Sequence, residues 1–127
     1  MDYQKAKGKY EETSIATASN NEIIIWMIQK ALQNLEKAKV ALQIRDLPEQ
    51  NRLLNQVQQL VFELMIYVNK QTKEGKNLLA LYDYINRRLI EANMEKSLSK
   101  VNEVERYFIE LLEAWKEVKK KGTKKSL

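Results

Sequence analysis

The sequence predicts an all-α protein: an antiparallel four-helix bundle with a loosely structured N-terminal segment and a basic C-terminal tail. Three observations carry this. Apolar residues recur at spacings of three and four along four successive stretches, the period of a helix with one buried stripe. The 127 residues include only three glycines and one proline, too few turn formers for a many-stranded sheet. The joints between the four stretches are short, which forces consecutive helices to run antiparallel. The expected organisation is a lead over 1–18, a bundle over 19–121 and a tail over 122–127.

The lead is polar, with scattered apolar residues (Tyr3, Tyr10, Ile15) that follow no period. "SNNE" then reads as a capping box, with Ser19 as the N-cap, Glu22 three residues on and Asn20 as the rival cap. The first helix carries Ile24, Met27, Ile28, Ala31, Leu35, Ala38 and Leu42 on one stripe and ends near "IRDLPEQ". Asp46 or Leu47 caps the second helix, with Pro48 in its first turn, where a missing N–H costs nothing. That helix is expected from Pro48 to Lys73, with Leu53, Leu54, Val57, Leu60, Val61, Leu64 and Val68 facing inward and Gly75 as its C-terminal glycine. The third, Asn77 to Lys96, presents Leu78, Leu81, Tyr82, Ile85, Leu89 and Ala92, with Asn77 as its cap. Ser97 or Ser99 caps the fourth, which presents Val101, Val104, Phe108, Leu111, Leu112, Trp115 and Val118 and is expected to stop at Gly122.

Subtracting these stripes leaves apolar residues over. The first helix alone places six in a row, Ile23 to Ile28. Ile25, Trp26 and Leu32 fall off its stripe; Phe62 and Ile66 lie opposite the core line of the second helix; Leu79, Ile90 and Met94 are off-stripe on the third. Tyr107 and Ile109 flank the fourth stripe. Monomers rarely expose contiguous apolar patches above a few hundred Å². A cover is therefore expected, supplied either by the lead or by a partner's amphipathic helices lying in grooves.

Composition narrows the function classes. Cysteine and histidine are both absent, which removes disulfides, thiol nucleophiles, imidazole bases and thiolate or imidazole metal sites. No nucleophile–base pair stands out, so neither an enzyme nor a bound cofactor is expected. The net charge of +5 lies largely in "KKKGTKK", which holds five lysines and leaves a near-neutral remainder. That disfavours nucleic acid as a partner, which needs a basic face with stacking residues. Lysines there also suit the negative end of a helix dipole. No apolar run reaches the roughly 18 residues of a membrane span, and the polar N-terminus lacks a signal peptide's apolar region, so no membrane insertion and a cytoplasmic location are expected.

The third helix is the most specific stretch. "NLLALYDYINRRLIEAN", Asn77 to Asn93, closely resembles the signature of the FliS family of flagellin export chaperones: Asn-Leu, Leu-Tyr-Asp-Tyr, Arg-Arg-Leu and Ala-Asn in register. "TAS" at Thr17 to Ser19 with Glu22 is similar to the family's motif before its first long helix, Tyr10 sits where the family has a tyrosine, and "LLEAWKE" resembles its C-terminal end. The chain departs from the family at Asn20-Asn21, where Pro-Glu is usual, and at Met27 to Lys30, where Leu-Tyr-Asp-Gly is frequent.

The resemblance implies a helical bundle that binds the C-terminal segment of newly made flagellin in the cytoplasm. The segment would fold into helices around the chaperone's outer grooves, held from premature polymerisation and passed to the flagellar export apparatus. The residues expected to bind the partner are Tyr10, Ile25, Trp26, Phe62, Ile66, Leu79, Tyr82, Asp83, Arg87, Ile90 and Met94. Tyr82 is expected at the edge of the core with its hydroxyl at a rim. Asp83 and Arg87 are four apart, in the order that favours a helix ion pair worth about 0.3–0.5 kcal/mol. That is too little to explain a signature, so Asp83, Arg87 and Arg88 are expected to pair with other helices or the partner as well. The competing reading is a structural or adaptor bundle whose surplus apolar face makes a homodimer of the free chain.

Overall fold

In a computed structural model, which describes residues 18–125, the chain forms four α-helices: α1 Ala18–Gln43, α2 Leu47–Ile66, α3 Lys73–Glu95 and α4 Leu98–Lys125. Helix α1 packs on α2 and α4, and α3 packs on the same two, so the helices follow one another around a square. Cross-helix bonds fix the antiparallel register. Residue numbers rise on one helix as they fall on the next: Glu22 and Lys39 of α1 pair with Lys119 and Glu105 of α4, at 3.4 and 2.8 Å. No strand occurs among the described residues, and no described helix is long and apolar enough to cross a membrane.

The predicted stripes make the core. Ile24, Ile28, Leu35, Leu54, Val57, Leu64, Ile85, Leu89, Val104 and Phe108 are all at most 1% exposed. Burial of each large side chain contributes about 1.5–3 kcal/mol before entropy is charged against it. Asn34 Nδ2 donates to Gln56 Oε1 at 3.2 Å, which ties α1 to α2 beside this core. Leu32, expected off-stripe, is half-buried against it, because α1 is flanked by helices on two sides. Val118, expected on the stripe, is 41% exposed, since the distal part of α4 has left the core behind.

The joints differ from expectation in instructive ways. Helix α1 is already helical at Ala18, so Ser19 and Asn20 lie within it rather than cap it. It ends in a Schellman-type turn, Asp46 N donating to Ala41 O, with Arg45 in the left-handed region at φ 63°. Asp46 caps α2 by accepting from Glu49 N. Helix α2 stops at Ile66, not Lys73, because Asn69 turns its side chain onto Gln71 N and Thr72 caps α3 through Gly75 N. Gly75 therefore lies in the first turn of α3 and does not end α2, and Asn77 is inside α3 rather than at its cap. Ser97, not Ser99, accepts from Lys100 N at the start of α4, after Lys96 at φ 54°. Helix α4 runs through Gly122 to Lys125 instead of stopping there.

Candidate functional site

Most of the expected binding residues fall on two surfaces. The first is the seam between α2 and α3. Gln50 of α2 donates to Asn93 Oδ1 and O of α3, at 2.9 and 3.2 Å, and Asn93 Nδ2 donates to Asn51 Oδ1. These bonds set which flanks meet. From Asn51 the same flank of α2 continues to Gln58 and Phe62 at steps of seven and four. From Asn93 the facing flank of α3 continues to Asn86 and Leu79 at steps of seven, with Ile90 beside it.

The outer lip of this seam is apolar. Phe62 and Ile66 are 54% and 75% exposed, Ile90 and Met94 46% and 73%. On α3, Asp83, Arg87, Ile90 and Met94 follow at steps of four, three and four, so the charged pair shares an outward line with the apolar residues. Asp83 and Arg87 pair at 3.4 Å and both side chains are about two-thirds exposed, open to a partner's charges as well. From Leu79 to Met94 the line spans roughly 22 Å at 1.5 Å per residue, room for four turns of a bound helix. At its far end a hollow of about 290 Å³ is lined by Leu47, Gln50, Asn51, Asn93, Met94 and Lys96. Midway, Asn86 is buried with neither Oδ1 nor Nδ2 hydrogen-bonded.

The second surface lies between α1 and α4. There Ile25, Trp26, Glu22 and Gln29 face Lys116, Lys119 and Lys120 across a groove of about 810 Å³. Trp26 is 60% exposed, as expected of an outward residue. Ile25 is not: it is 9% exposed, because α4 packs over that flank of α1. Trp26 is thus assembled with α4 lysines and not with Phe62 and Ile66.

Two other expectations change. Tyr82 is 1% exposed, inside the bundle, and its hydroxyl interacts with the Trp115 side chain instead of reaching a rim. Leu79 is half-buried, on the flank of α3 that continues from Asn93. Tyr10 lies outside the described residues.

The signature's Arg88 has a role inside the fold. Its Nη1 donates to Glu91 Oε1 at 2.7 Å and its Nε to the Tyr84 hydroxyl at 2.8 Å, and it lies 3.1 Å from Glu103 of α4. Tyr84 in turn donates to Glu103 Oε2 at 2.7 Å and meets Tyr107 edge to face. Lys100 closes the group onto Glu95 and Glu91. The carboxylates hold the Arg88 guanidinium more firmly protonated than usual, and Glu91 is pushed below its ordinary range by Arg88 and then Lys100. This network joins α3 to α4, so Arg88 shapes the bundle and leaves Arg87 outward.

Sequence reasoning missed the α4 lysines of the second groove, whose partners across α1 depend on the register of two distant segments. It also missed Tyr84 and Glu103, although the spacing of four between Tyr84 and Arg88 was a usable signal. Among the described residues no cluster of three or more acidic, histidine or cysteine side chains is placed to hold a metal. The surfaces offer apolar area, hydrogen-bonding amides and charge, the means of binding a polypeptide.

Comparison with known proteins adds to this geometry. A family model described as flagellar protein FliS matches residues 3–122. The chain is 28% identical over 117 residues to the flagellar secretion chaperone FliS of Bacillus subtilis, covering 92% of this chain and 88% of the relative. It is also 28% identical over 109 residues to the Escherichia coli flagellar secretion chaperone FliS, covering 84% and 80%. The Pseudomonas aeruginosa flagellar secretion chaperone FliSB is 26% identical over 117 residues, with 87% and 93% covered.

Proposed function

Because the chain belongs to the FliS family of flagellar proteins, we propose that it is a flagellar secretion chaperone whose client is the C-terminal segment of flagellin. It acts without catalysis, in the cytoplasm. The segment arrives unfolded, forms amphipathic helices against the bundle, and is kept from polymerising until it is passed to the export apparatus. The observation that carries this reading is the exposed apolar lip of the α2–α3 seam: Phe62, Ile66, Ile90 and Met94, each between 46% and 75% exposed. Large apolar side chains left in water at helical spacing, with a hollow at one end, match the anchors that an amphipathic helix fills. None of the four belongs to the buried core of the bundle.

The test is a double substitution, Phe62→Ala with Ile66→Ala. Affinity for a flagellin C-terminal peptide is expected to fall ten-fold or more, about 1.4 kcal/mol, while circular dichroism shows unchanged helicity. A variant that unfolds, or one that binds as tightly as the parent, places the client elsewhere.

A further inference from the structure

The α1–α4 groove differs in chemistry from the α2–α3 seam. Its floor is Ile25 and the exposed indole of Trp26, and its far wall is Lys116, Lys119 and Lys120. Three ammonium groups face one carboxylate, Glu22, which reaches Lys119 at 3.4 Å and is itself well exposed. Among the described residues Lys116 and Lys120 enter no ion pair, whereas Lys39 and Lys100, elsewhere on the surface, each find two carboxylates. Dipole compensation accounts for lysines in the last turn of a helix only. Lys116 lies more than two turns before Lys125, where α4 ends, so that effect leaves it unexplained. An apolar strip bordered by three lysines, two of them without an ion pair among the described residues, fits a rod with an aliphatic ridge and carboxylates along one flank.

We propose that the α1–α4 groove is a second docking site, separate from the client seam, for an acidic amphipathic helix of a partner protein. The ridge packs on Ile25 and Trp26, and its glutamates or aspartates pair with Lys116, Lys119 and Lys120. The proposal does not depend on the identity of the client.

The experiment titrates the full chain with a synthetic 18-residue helix built from Leu, Ala and Gln with Glu along one flank, followed by calorimetry and by the indole N–H resonance of Trp26. A counterpart peptide carries Lys in place of each Glu. The acidic helix is expected to bind and shift the Trp26 signal, the basic one at least ten-fold more weakly. The triple change Lys116→Glu, Lys119→Glu and Lys120→Glu should lower affinity for the acidic helix ten-fold or more. The milder Lys→Gln triple should lower it less, and Phe62→Ala with Ile66→Ala should leave it unchanged. Equal binding of both peptides, a Trp26 resonance that stays still, or loss of binding in the Phe62/Ile66 variant overturns the proposal. So does a ten-fold gain on Glu11→Lys with Glu12→Lys, which would make the chain's own lead, through those two carboxylates, the occupant.

Discussion

Tyr82 sits at 1% exposure in the interior, and burial pushes its hydroxyl up to about 12, a shift that the Trp115 side chain partly opposes. In the unfolded chain a tyrosine ionises near pH 10. Above that pH the unfolded state loses its proton while the folded state still holds it. The stability contributed by keeping Tyr82 neutral is therefore complete below pH 10 and drains away as pH rises toward 12, at up to about 1.4 kcal/mol per pH unit. Tyr82→Phe removes this term, so the parent's urea midpoint should fall faster with pH than the variant's between about pH 10 and 12. Parallel curves would place the hydroxyl in water. A second single-residue effect concerns Lys96, whose φ of 54° closes α3 where glycine is the usual occupant. Lys96→Gly is expected to raise stability by about 0.5–1 kcal/mol in urea denaturation, the left-handed strain relieved exceeding the entropy that glycine adds to the unfolded chain. Neither effect was legible in the sequence. A lysine carries no sign of a left-handed backbone, and the stripe located Tyr82 at the edge of the core without showing how completely α4 closes over it.

Among the elements, the joint between α2 and α3 is the least forgiving. A Cβ on Gly75 would sit 1.7 Å from Asn69 O and 2.7 Å from Asn69 C, both backbone atoms. Gly75→Ala is expected to cost about 1–3 kcal/mol, read as a lower urea midpoint, because the loop has to move to admit one methyl. The sequence marked this glycine as important for the wrong reason. Glycine after a helical stretch reads as a C-terminal cap, and the competing signals, Asn69 turning onto Gln71 and Thr72 capping Gly75, are short-range hydrogen bonds that periodicity does not register. The helices themselves were legible to within a turn at most ends, since their apolar spacing persists for five turns or more. The pairing of Arg88 with Tyr84 and Glu103 was half legible: a helix neighbour four residues away is visible in sequence, whereas a carboxylate on the next helix depends on register.

For the molecule as a whole, the two surfaces divide the work that the run Ile23 to Ile28 first suggested. Ile24, Met27 and Ile28 are buried in the core, and Trp26 is left to the α1–α4 groove. The exposed apolar residues of α2 and α3 gather along one seam because the two helices are antiparallel and in register at Gln50 and Asn93. Sequence alone could count this surplus but could not divide it between two faces, since each helix wheel is blind to its neighbours. Whether the α2–α3 seam takes a flagellin client is decided by calorimetric titration of a flagellin C-terminal peptide into this protein at several temperatures. A chaperone that folds its client onto the α2–α3 seam gives submicromolar binding with a negative heat-capacity change, the mark of apolar burial coupled to helix formation. No heat, and no complex by size exclusion with a well-folded sample and the cognate peptide, would contradict it. The exposed apolar lip would then belong to a homodimer, seen as a mass that rises with concentration.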